Sequence, residues 1–246
     1  ESFAKAIIVE HHNNTGINTL NEINTKISIG EGAIVDYYII QTSNNESINV
    51  LDAKIDQKKD STLNFTLISQ GNSLNHADID LNLNEPNATA NTYIGNNAKN
   101  KEIHNINLNA NHNSNNCSSK TIYRTVAHDQ SKSSITGNID VAENSTQTNA
   151  DLQCKSLIVD KLAEANAKPQ LIINCDDVKC AHGATVGFLD QDAIFYLRSR
   201  GISLDAAKKM LIDAFIAPIT KRVNISDSMK LKELCNQAIT YSDRSF

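Results

Sequence analysis

The sequence has 246 residues and a formal net charge of −5, with 40% hydrophobic and 21% charged residues. A chain of this length and composition can bury a sizeable core, as one large domain or as one domain with an appendage. The negative charge excludes the basic field that binding to a phosphate backbone requires, so nucleic acid is not an expected partner. No apolar run approaches the roughly 20 residues that span a bilayer, and no membrane partner is expected.

The five cysteines are odd in number and lack the dense, regular spacing of a secreted disulfide scaffold. They are typical of reduced thiols, and residues 1–12 lack the pattern of a signal peptide. We therefore expect a cytoplasmic protein, or one from an equivalent reducing organelle compartment. Cys175 and Cys180 do not have the Cys-x2-Cys spacing of a structural zinc site. Cys117 and Cys235 are expected to be small buried hydrophobes.

The first 173 residues contain no convincing amphipathic helix and instead repeat short apolar or alternating segments separated by Asn, Asp, Ser and Gly. This rhythm is typical of strands and turns. Strict alternation, as in Ile79–Leu83, indicates strands with one buried face. The predicted strand segments are Ala6–Val9, Ala33–Ile40, Ile48–Ile55, Leu63–Ile68, Ile79–Leu83, Ile103–Ala110, Lys120–Thr125, Ile135–Val141, Leu152–Val159 and Leu171–Ile173.

A sandwich, a barrel and a β-solenoid would all show this alternation. The long monotonous series, the abundance of Asn at predicted turns and the scarcity of aromatic residues and Pro favour the solenoid. No strict hexapeptide period is present, and Ile27–Ala33 resembles at best one isolated unit. We predict a mainly β protein in which residues 1–187 form a right-handed parallel β-helix. A small C-terminal helical region, residues 188–246, follows it.

The helical region begins after Gly187. Asp190 is a predicted N-cap, and Gly201 is placed to end this helix of about ten residues. Ser203 is predicted to cap a second helix, which Pro218 should kink or end. Its predicted apolar stripe consists of Ala206, Ala207, Met210, Leu211, Ala214 and Phe215. A third helix is predicted from Ser226 or Asp227 onward. We expect the helices to pack on the end of the solenoid or on a partner, with a cap on the last coil protecting its strand edges.

The candidate chemistry lies just before these helices. If residues 178–182 are extended, Val178, Cys180 and His182 share one face, so a thiol and an imidazole point the same way. Both groups are good ligands for iron or zinc, but two ligands do not complete a four-coordinate site. Taken alone, His182 is more often a hydrogen-bonded structural residue. Cys154 is a candidate reactive thiol, although burial is the simpler expectation.

The adjacent Asp176 and Asp177 are poorly placed to flank a glycosidic bond, and a turn between strands explains them better. No glycine loop for phosphate and no nucleophile-elbow motif is present, so any ATP must be bound by another protein.

Two runs carry a resemblance to a known family, namely DDVKC-x-HGATVG at residues 176–187 and FYLRSRGI at residues 195–202. Together they closely resemble the SufB/SufD family of iron–sulfur cluster assembly scaffolds, and within it the SufD branch. The resemblance is most specific over residues 168–215 and weaker over residues 120–159. It implies a parallel β-helix with C-terminal helices. Relatives usually have an additional N-terminal helical region that this sequence does not show, which would imply either a reduced assembly or a sequence that lacks an upstream segment.

The resemblance also implies partners and site residues. The partners would be a SufB-type paralogue, or a second copy of the chain, paired through the β-helix, and a SufC-type ABC ATPase docked on the C-terminal helices. His182 and Cys180 would contribute to iron or nascent cluster binding at the subunit interface. Cys154 falls where SufB carries a functional cysteine, which gives a third metal candidate. Residues implied in ATPase docking are Phe195, Tyr196, Leu197, Arg198, Arg200, Gly201 and Ile202.

No cofactor is expected in the isolated chain, and a transient iron or iron–sulfur cluster is expected in the assembled complex. The first prediction is therefore a non-catalytic scaffold subunit. Two alternatives stay open. One is a β-helical carbohydrate-active enzyme, which would need an exposed groove lined by charged residues on consecutive coils. The other is a purely structural solenoid without a metal role.

Overall fold

The computed structural model describes residues 1–14, 16, 18–43 and 46–222, as thirteen β-strands followed by two α-helices. The third predicted helix and Cys235 lie outside these residues. The strands are β1 Lys5–Asn14, β2 Leu20–Ile29, β3 Ile34–Ser43, β4 Ile48–Gln57, β5 Thr62–Gln70, β6 Leu74–Leu83, β7 Thr89–Ala98, β8 Ile103–His112, β9 Ser118–Ala127, β10 Lys132–Val141, β11 Thr148–Ile158, β12 Glu164–Ile173 and β13 Val178–Phe188. The helices are α1 Gln191–Ser199 and α2 Leu204–Thr220.

The strands form two parallel sheets. The odd sheet has the order β1-β3-β5-β7-β9-β11-β13, and the even sheet the order β12-β10-β8-β6-β4-β2. Successive strands alternate between the sheets, so each coil adds one strand to each. The fold is therefore a β-solenoid of about six turns, as predicted. At about 4.8 Å between strands, the odd sheet extends about 29 Å along the solenoid axis.

The core lies between the sheets, because alternate residues of every strand point inward. The strictly alternating burial of β8 and β10 shows this directly. Aliphatic side chains fill most of the interior, and Tyr37 and Phe65 add one aromatic pair with ring centroids 5.4 Å apart. Since each inner residue stacks on its register partner in the next coil, medium-sized aliphatics fill the space without large rings.

The turns explain the abundance of asparagine. Asn72, Asn87, Asn100 and Asn116 all have positive φ, between 55° and 65°. Asn tolerates this left-handed conformation because its short side chain bonds locally. Gly71 also has positive φ, and a Cβ there would collide with the backbone carbonyl of Ser43 in the preceding coil.

Asparagine has a second role on the outer face of the even sheet, where side-chain amides form ladders from coil to coil. Asn138 donates to Asn109, and Asn109 donates to Asp80, each over 2.7 Å. Asn107 donates to Asp78 over 2.7 Å. Because the coils stack on one another, these ladders satisfy hydrogen-bonding groups of the polar outer face.

The predicted helix starts are confirmed. The Asp190 carboxylate accepts from the backbone N–H groups of Asp192 and Ala193, and the Ser203 hydroxyl accepts from that of Ala206. Gly201 follows α1 with a φ of 83°, as expected of a residue that ends a helix. Neither helix in the described part of the chain combines the length and apolar character that a membrane crossing requires.

The predicted position of the helices is wrong. The described helix α2 packs on the outer face of the odd sheet, against β7 and β9, and does not cap the last coil. That face carries an apolar group formed by Tyr38, Ile40, Ile68, Val126 and Leu157. The guanidinium of Arg124 lies over the Phe215 ring at 5.8 Å and adds a cation–π contact. An apolar side face therefore attracts the helix more strongly than the open end does.

The predicted stripe of α2 is also partly wrong. The buried residues are Ala207, Ile212, Ile216 and Ile219, whereas Ala206, Met210 and Ala214 are exposed. The stripe was assigned without knowing which side the sheet would cover. Pro218 does not end the helix, which continues to Thr220.

Candidate functional site at the open final coil

Strand register brings the three metal candidates together. β13 pairs with β11 so that Cys180 lies beside Ala150, His182 beside Leu152 and Ala184 beside Cys154. Ala150, Leu152 and Cys154 point into the solenoid and are buried, so Cys180 and His182 belong to the same inner columns. The Cα atoms of His182 and Cys154 are one strand and two residues apart, which corresponds to about 8 Å.

Cys154 is fully buried in the core between Tyr123 and Ala184. Burial raises the pKa of its thiol to about 12, opposed by the nearby positive charge of Arg124. A thiol in this state is protonated at neutral pH and is a weak nucleophile and a weak metal ligand. The expectation of a buried, inert Cys154 therefore describes the isolated chain, and metal binding would require the site to open.

Cys180 and His182 lie in a different environment from Cys154. Cys180 is half-buried against the end of the core, and burial raises the pKa of its thiol, opposed by a backbone hydrogen bond from Ala150. His182 is exposed although it is in an inner column, because β13 belongs to the last described coil. The imidazole is thus accessible to a partner approaching along the solenoid axis.

The candidate metal ligands do not form a complete site by themselves. Within the part of the chain that the structure describes, no group of three His, Cys, Asp or Glu residues is arranged to hold a metal ion. Iron and zinc in protein sites usually take four ligands. Cys180 and His182 alone would not fill such a shell, so any metal bound here would need further ligands.

The coil that carries these residues is open. Among the described residues, β12 pairs along one edge with β10, and β13 along one edge with β11. Ile173, Val186 and Phe188 are large hydrophobic residues of this open coil, with exposures of 40%, 45% and 67%. Unpaired strand edges beside exposed apolar side chains form a surface suited to pairing with another protein. Asp176 and Asp177 lie in the turn between the two strands, as predicted.

Sequence reasoning missed this apolar component. Ile173, Val186 and Phe188 follow the same alternation as residues of closed coils, so nothing in their pattern indicates exposure. The only available signal was position, because they belong to the final strands before the helices begin.

A second exposed surface lies on α1. Ile194 anchors the helix in the apolar cluster beneath it, whereas Phe195 and Tyr196 are 75% and 57% exposed. The guanidinium of Arg200 lies 5.2 Å from the centroid of the Tyr196 ring. Of the remaining docking candidates, Arg198 and Gly201 are exposed, and Leu197 and Ile202 are half-buried. Aromatic rings and arginines at the centre of a patch are typical of binding surfaces between proteins.

Together, the fold and the site define a class of protein, namely a parallel β-helix whose last described coil is open and carries two candidate metal ligands. The family profile described as "SUF system FeS cluster assembly, SufBD core domain" matches residues 1–215. The chain belongs to the SufB/SufD family. The carbohydrate-active enzyme left open by the sequence is not the class that matches.

Three relatives illustrate the similarity. The chain is 44% identical to the iron–sulfur cluster assembly protein SufD of Escherichia coli over 110 residues, 45% of this chain and 26% of the relative. It is 29% identical to an iron–sulfur cluster assembly SufBD family protein of Synechocystis over 211 residues, 84% of this chain and 46% of the relative. Identity to the chloroplastic protein ABCI7 of Arabidopsis thaliana is 39% over 97 residues, 39% of this chain and 20% of the relative. The matches thus span less than half the length of each relative.

Proposed function

We propose that this chain is a non-catalytic, SufD-like scaffold subunit in iron–sulfur cluster assembly. It pairs through its open final coil with a SufB-type paralogue, and it docks a SufC-type ABC ATPase through the surface around α1. Iron or a nascent cluster is the cargo of the assembled complex. Family membership supports the general role, and the two exposed surfaces support the division of labour between the partners.

One observation carries the proposal. The open coil combines unpaired strand edges, exposed apolar side chains and two accessible ligand residues on one face. A partner that continues the sheets would cover the apolar groups and bring its own side chains to Cys180 and His182. The site would then be completed at the interface. Pairing with a second copy of the chain uses the same geometry, but it would repeat the same ligands.

The site prediction is tested by His182→Ala in the reconstituted complex with a SufB-type subunit and the ATPase. We expect complex formation to be retained and cluster loading to fall at least severalfold, measured from the visible absorption of the cluster and from bound iron. His76→Ala is the matched control, because His76 is a half-buried histidine on the outer face of the even sheet. Equal loading in wild type and His182→Ala would leave the purely structural solenoid as the better description.

Cys154 needs a separate test because its substitution alters the core. Cys154→Ala should leave the fold intact at a modest cost in stability, since it removes one buried sulfur atom. If Cys154 acts as a ligand or sulfur acceptor in the complex, loading falls beyond the loss of folded protein, measured by circular dichroism on the same sample. Unchanged loading per folded complex would remove Cys154 from the site.

ATPase docking is tested on α1 with the double variant Phe195→Ala and Tyr196→Ala. We expect the affinity for the SufC-type ATPase to fall by about 2 kcal/mol or more, because exposed aromatic side chains at interface centres commonly contribute this much. The measurement is calorimetric titration or copurification. Leu20→Ala on β2 is the matched control, since Leu20 is 66% exposed in the first described coil, away from the C-terminal helices. A loss of affinity equal to that of the control would contradict the assignment.

The choice of partner is tested on the wild-type chain by light scattering alone and after mixing with the SufB-type paralogue. We expect a heterodimer to form at concentrations at which the chain alone does not self-associate. Val186→Lys should weaken pairing, because it places a charge among the apolar side chains of the open coil. A stable dimer of the chain alone that resists the paralogue would overturn the heterodimer proposal.

A further inference from the structure

The interior of the solenoid contains a polar corner, where each odd-sheet strand ends and the next even-sheet strand begins. Successive coils place two inner-face residues there, one from each sheet. The polar residues of this corner are Gln41 and Asn49, Ser69 and Asn75, Asn96 and His104, Thr125 and Ser133, and finally Ser156. All nine are at most 5% exposed. A continuous polar edge therefore runs inside an otherwise aliphatic core.

Several atoms along this edge are buried and have no hydrogen-bond partner among the residues that the structure describes. They are Gln41 Nε2, Asn49 Nδ2, Asn96 Oδ1, His104 Nδ1 and Ser156 Oγ, with Asn72 Oδ1 in the adjoining turn. Burying a polar group without a partner is costly, and proteins rarely tolerate several such groups in one place. Their concentration along one line calls for a common explanation.

His104 makes the argument independent of the assigned proton position. Its Nε2 lies 3.1 Å from Asn75 Nδ2 and 3.4 Å from a carboxylate oxygen of Glu102. If Nε2 accepts from Asn75, the proton of the neutral ring is on Nδ1, which then needs an acceptor. If Nε2 donates to Glu102, Nδ1 of the neutral ring needs a donor. In either tautomer Nδ1 requires a further partner.

In one coil, protein side chains hydrogen-bond to each other directly across the corner. Ser133 Oγ lies 2.9 Å from Thr125 Oγ1 and 3.0 Å from the Tyr123 hydroxyl, so the corner is bridged by protein atoms. In the neighbouring coil, His104 Nδ1 and Asn96 Oδ1 both lack such a bridge. The corner thus contains some positions that protein atoms bridge and others that they do not.

A surface cavity lies close to the corner. It has a volume of about 540 Å³, lies over the turns and is lined by residues that include Ser73, Lys101, Glu102 and Gln130. Glu102 is only 3% exposed, and it connects this cavity to His104 in the interior. A single polar side chain therefore separates the surface cavity from the corner.

From these observations we propose that the polar corner binds a file of ordered water molecules inside the solenoid. The unpartnered atoms include amide donors at Gln41 and Asn49 and an amide acceptor at Asn96. A metal ion or an anion would suit only one of these kinds, whereas water both donates and accepts. Buried waters typically bond to two to four polar groups of this sort. These waters would bind to the chain by itself, so their presence does not depend on the proposed scaffold function.

The file ends next to a site candidate. Ser156 and Cys154 are successive inner-face residues of β11, and Cys154 lies beside Tyr123, whose hydroxyl belongs to the bridged coil. The thiol therefore adjoins a hydrated edge of the core. Water at Ser156 gives the buried thiol a neighbour through which its proton can exchange with solvent.

The test is the sign of a stability change. Ser156→Ala removes an unpartnered hydroxyl, so a dry corner predicts an unchanged or higher folding equilibrium constant. A water bound to Ser156 predicts the opposite, a fall of roughly fivefold, because one buried hydrogen bond is lost. Ser133→Ala is the matched control, since its hydroxyl is bonded to protein atoms and its loss must lower the constant in either case. An unchanged or higher constant for Ser156→Ala overturns the proposal.

A second measurement does not depend on a variant. A high-resolution crystal structure of the wild-type chain should show ordered waters about 3 Å from most of the six unpartnered atoms. Rearrangement of these side chains into direct contacts with protein atoms would overturn the proposal. A corner without ordered water molecules would also overturn the proposal.

Discussion

Leu152 and His182 occupy the same inner column of the odd sheet on neighbouring strands, yet Leu152 is buried and His182 is exposed. The closed coils and the open final coil have the same strand spacing and the same alternation. They differ in whether another coil follows within the part of the chain that the structure describes. In a solenoid, burial is therefore decided by the neighbour, and a residue that would be core in the middle becomes surface at the end.

The difference in burial separates residues that stabilise the fold from residues that remain accessible at the surface. The closed coils fill most of their inner positions with aliphatic residues, whereas the open coil places Cys180 and His182 in inner columns, where Cys180 is half-buried and His182 is exposed. A reactive or metal-binding group in a closed coil would be desolvated on all sides, as Cys154 is. At the open end the same position is accessible along the axis.

The largest difference between the closed coils and the open coil is expected in the unfolding free energy of variants that remove a large apolar side chain. Leu67→Ala, at a fully buried position of β5, should lower the free energy of unfolding by about 3 kcal/mol, because it leaves a cavity among stacked aliphatics. Val186→Ala in the open coil should change it by less than about 0.5 kcal/mol. Urea denaturation of both variants is the measurement. Similar losses would mean that the final coil is as tightly packed as the middle.

A smaller effect should appear on acidification. Burial lowers the pKa of His112 in the folded chain to about 4, below its usual value of 6.5. Since the folded state favours the neutral ring, its contribution to stability is fully present above pH 6.5. It is lost as the pH falls toward 4, by about 2 kcal/mol at pH 5.

Denaturation curves of wild type and His112→Gln between pH 7 and pH 4 provide the measurement. Part of the acid sensitivity should persist in the variant, because burial also lowers the pKa of His128 to about 4. Identical pH slopes for wild type and His112→Gln would show that His112 is not buried in its neutral form.

The smallest effect concerns the amide ladders. Asn109→Ala interrupts a ladder in which Asn109 both donates to Asp80 and accepts from Asn138, and should cost about 1 kcal/mol in unfolding free energy. Gln170 follows Asn138 in the same column and lies in the open coil. Gln170→Ala should be close to neutral. If thermal denaturation gives equal shifts for the two variants, the ladders do not contribute to stability.

Much of the fold could be predicted from the alternation, but β13 was considered only as a conditional strand, and β2 and β7 were missed for physical reasons. In β2, Asn21 and Thr25 interrupt the apolar pattern of the inner face, and the burial of this strand is incomplete because it lies at the first described coil. In β7, small and polar residues such as Ala90, Thr92 and Asn96 take inner positions. They fit because the coils on either side supply the bulk.

The site was predicted in part. The motif and the period-2 geometry placed Cys180 and His182 on one face, and the strand register bears this out. That register also brings Cys154, which is 26 positions earlier in the sequence than Cys180, into the same pair of strands. No local pattern could have shown this neighbourhood or its difference in burial. The roles of these residues, and the division of the chain at residue 187, stay predictions.

The sequence by itself determined the coil. Period-2 alternation, Asn at left-handed turns and the capping residues Asp190 and Ser203 are local features, governed by backbone sterics and hydrogen bonding within a few residues. Tertiary structure alone decided which coil stays open, which sheet face receives α2 and which polar atoms meet inside the solenoid. These outcomes depend on contacts between residues about 30 positions apart, and the free energy of such contacts is set by the partner rather than by the local chain.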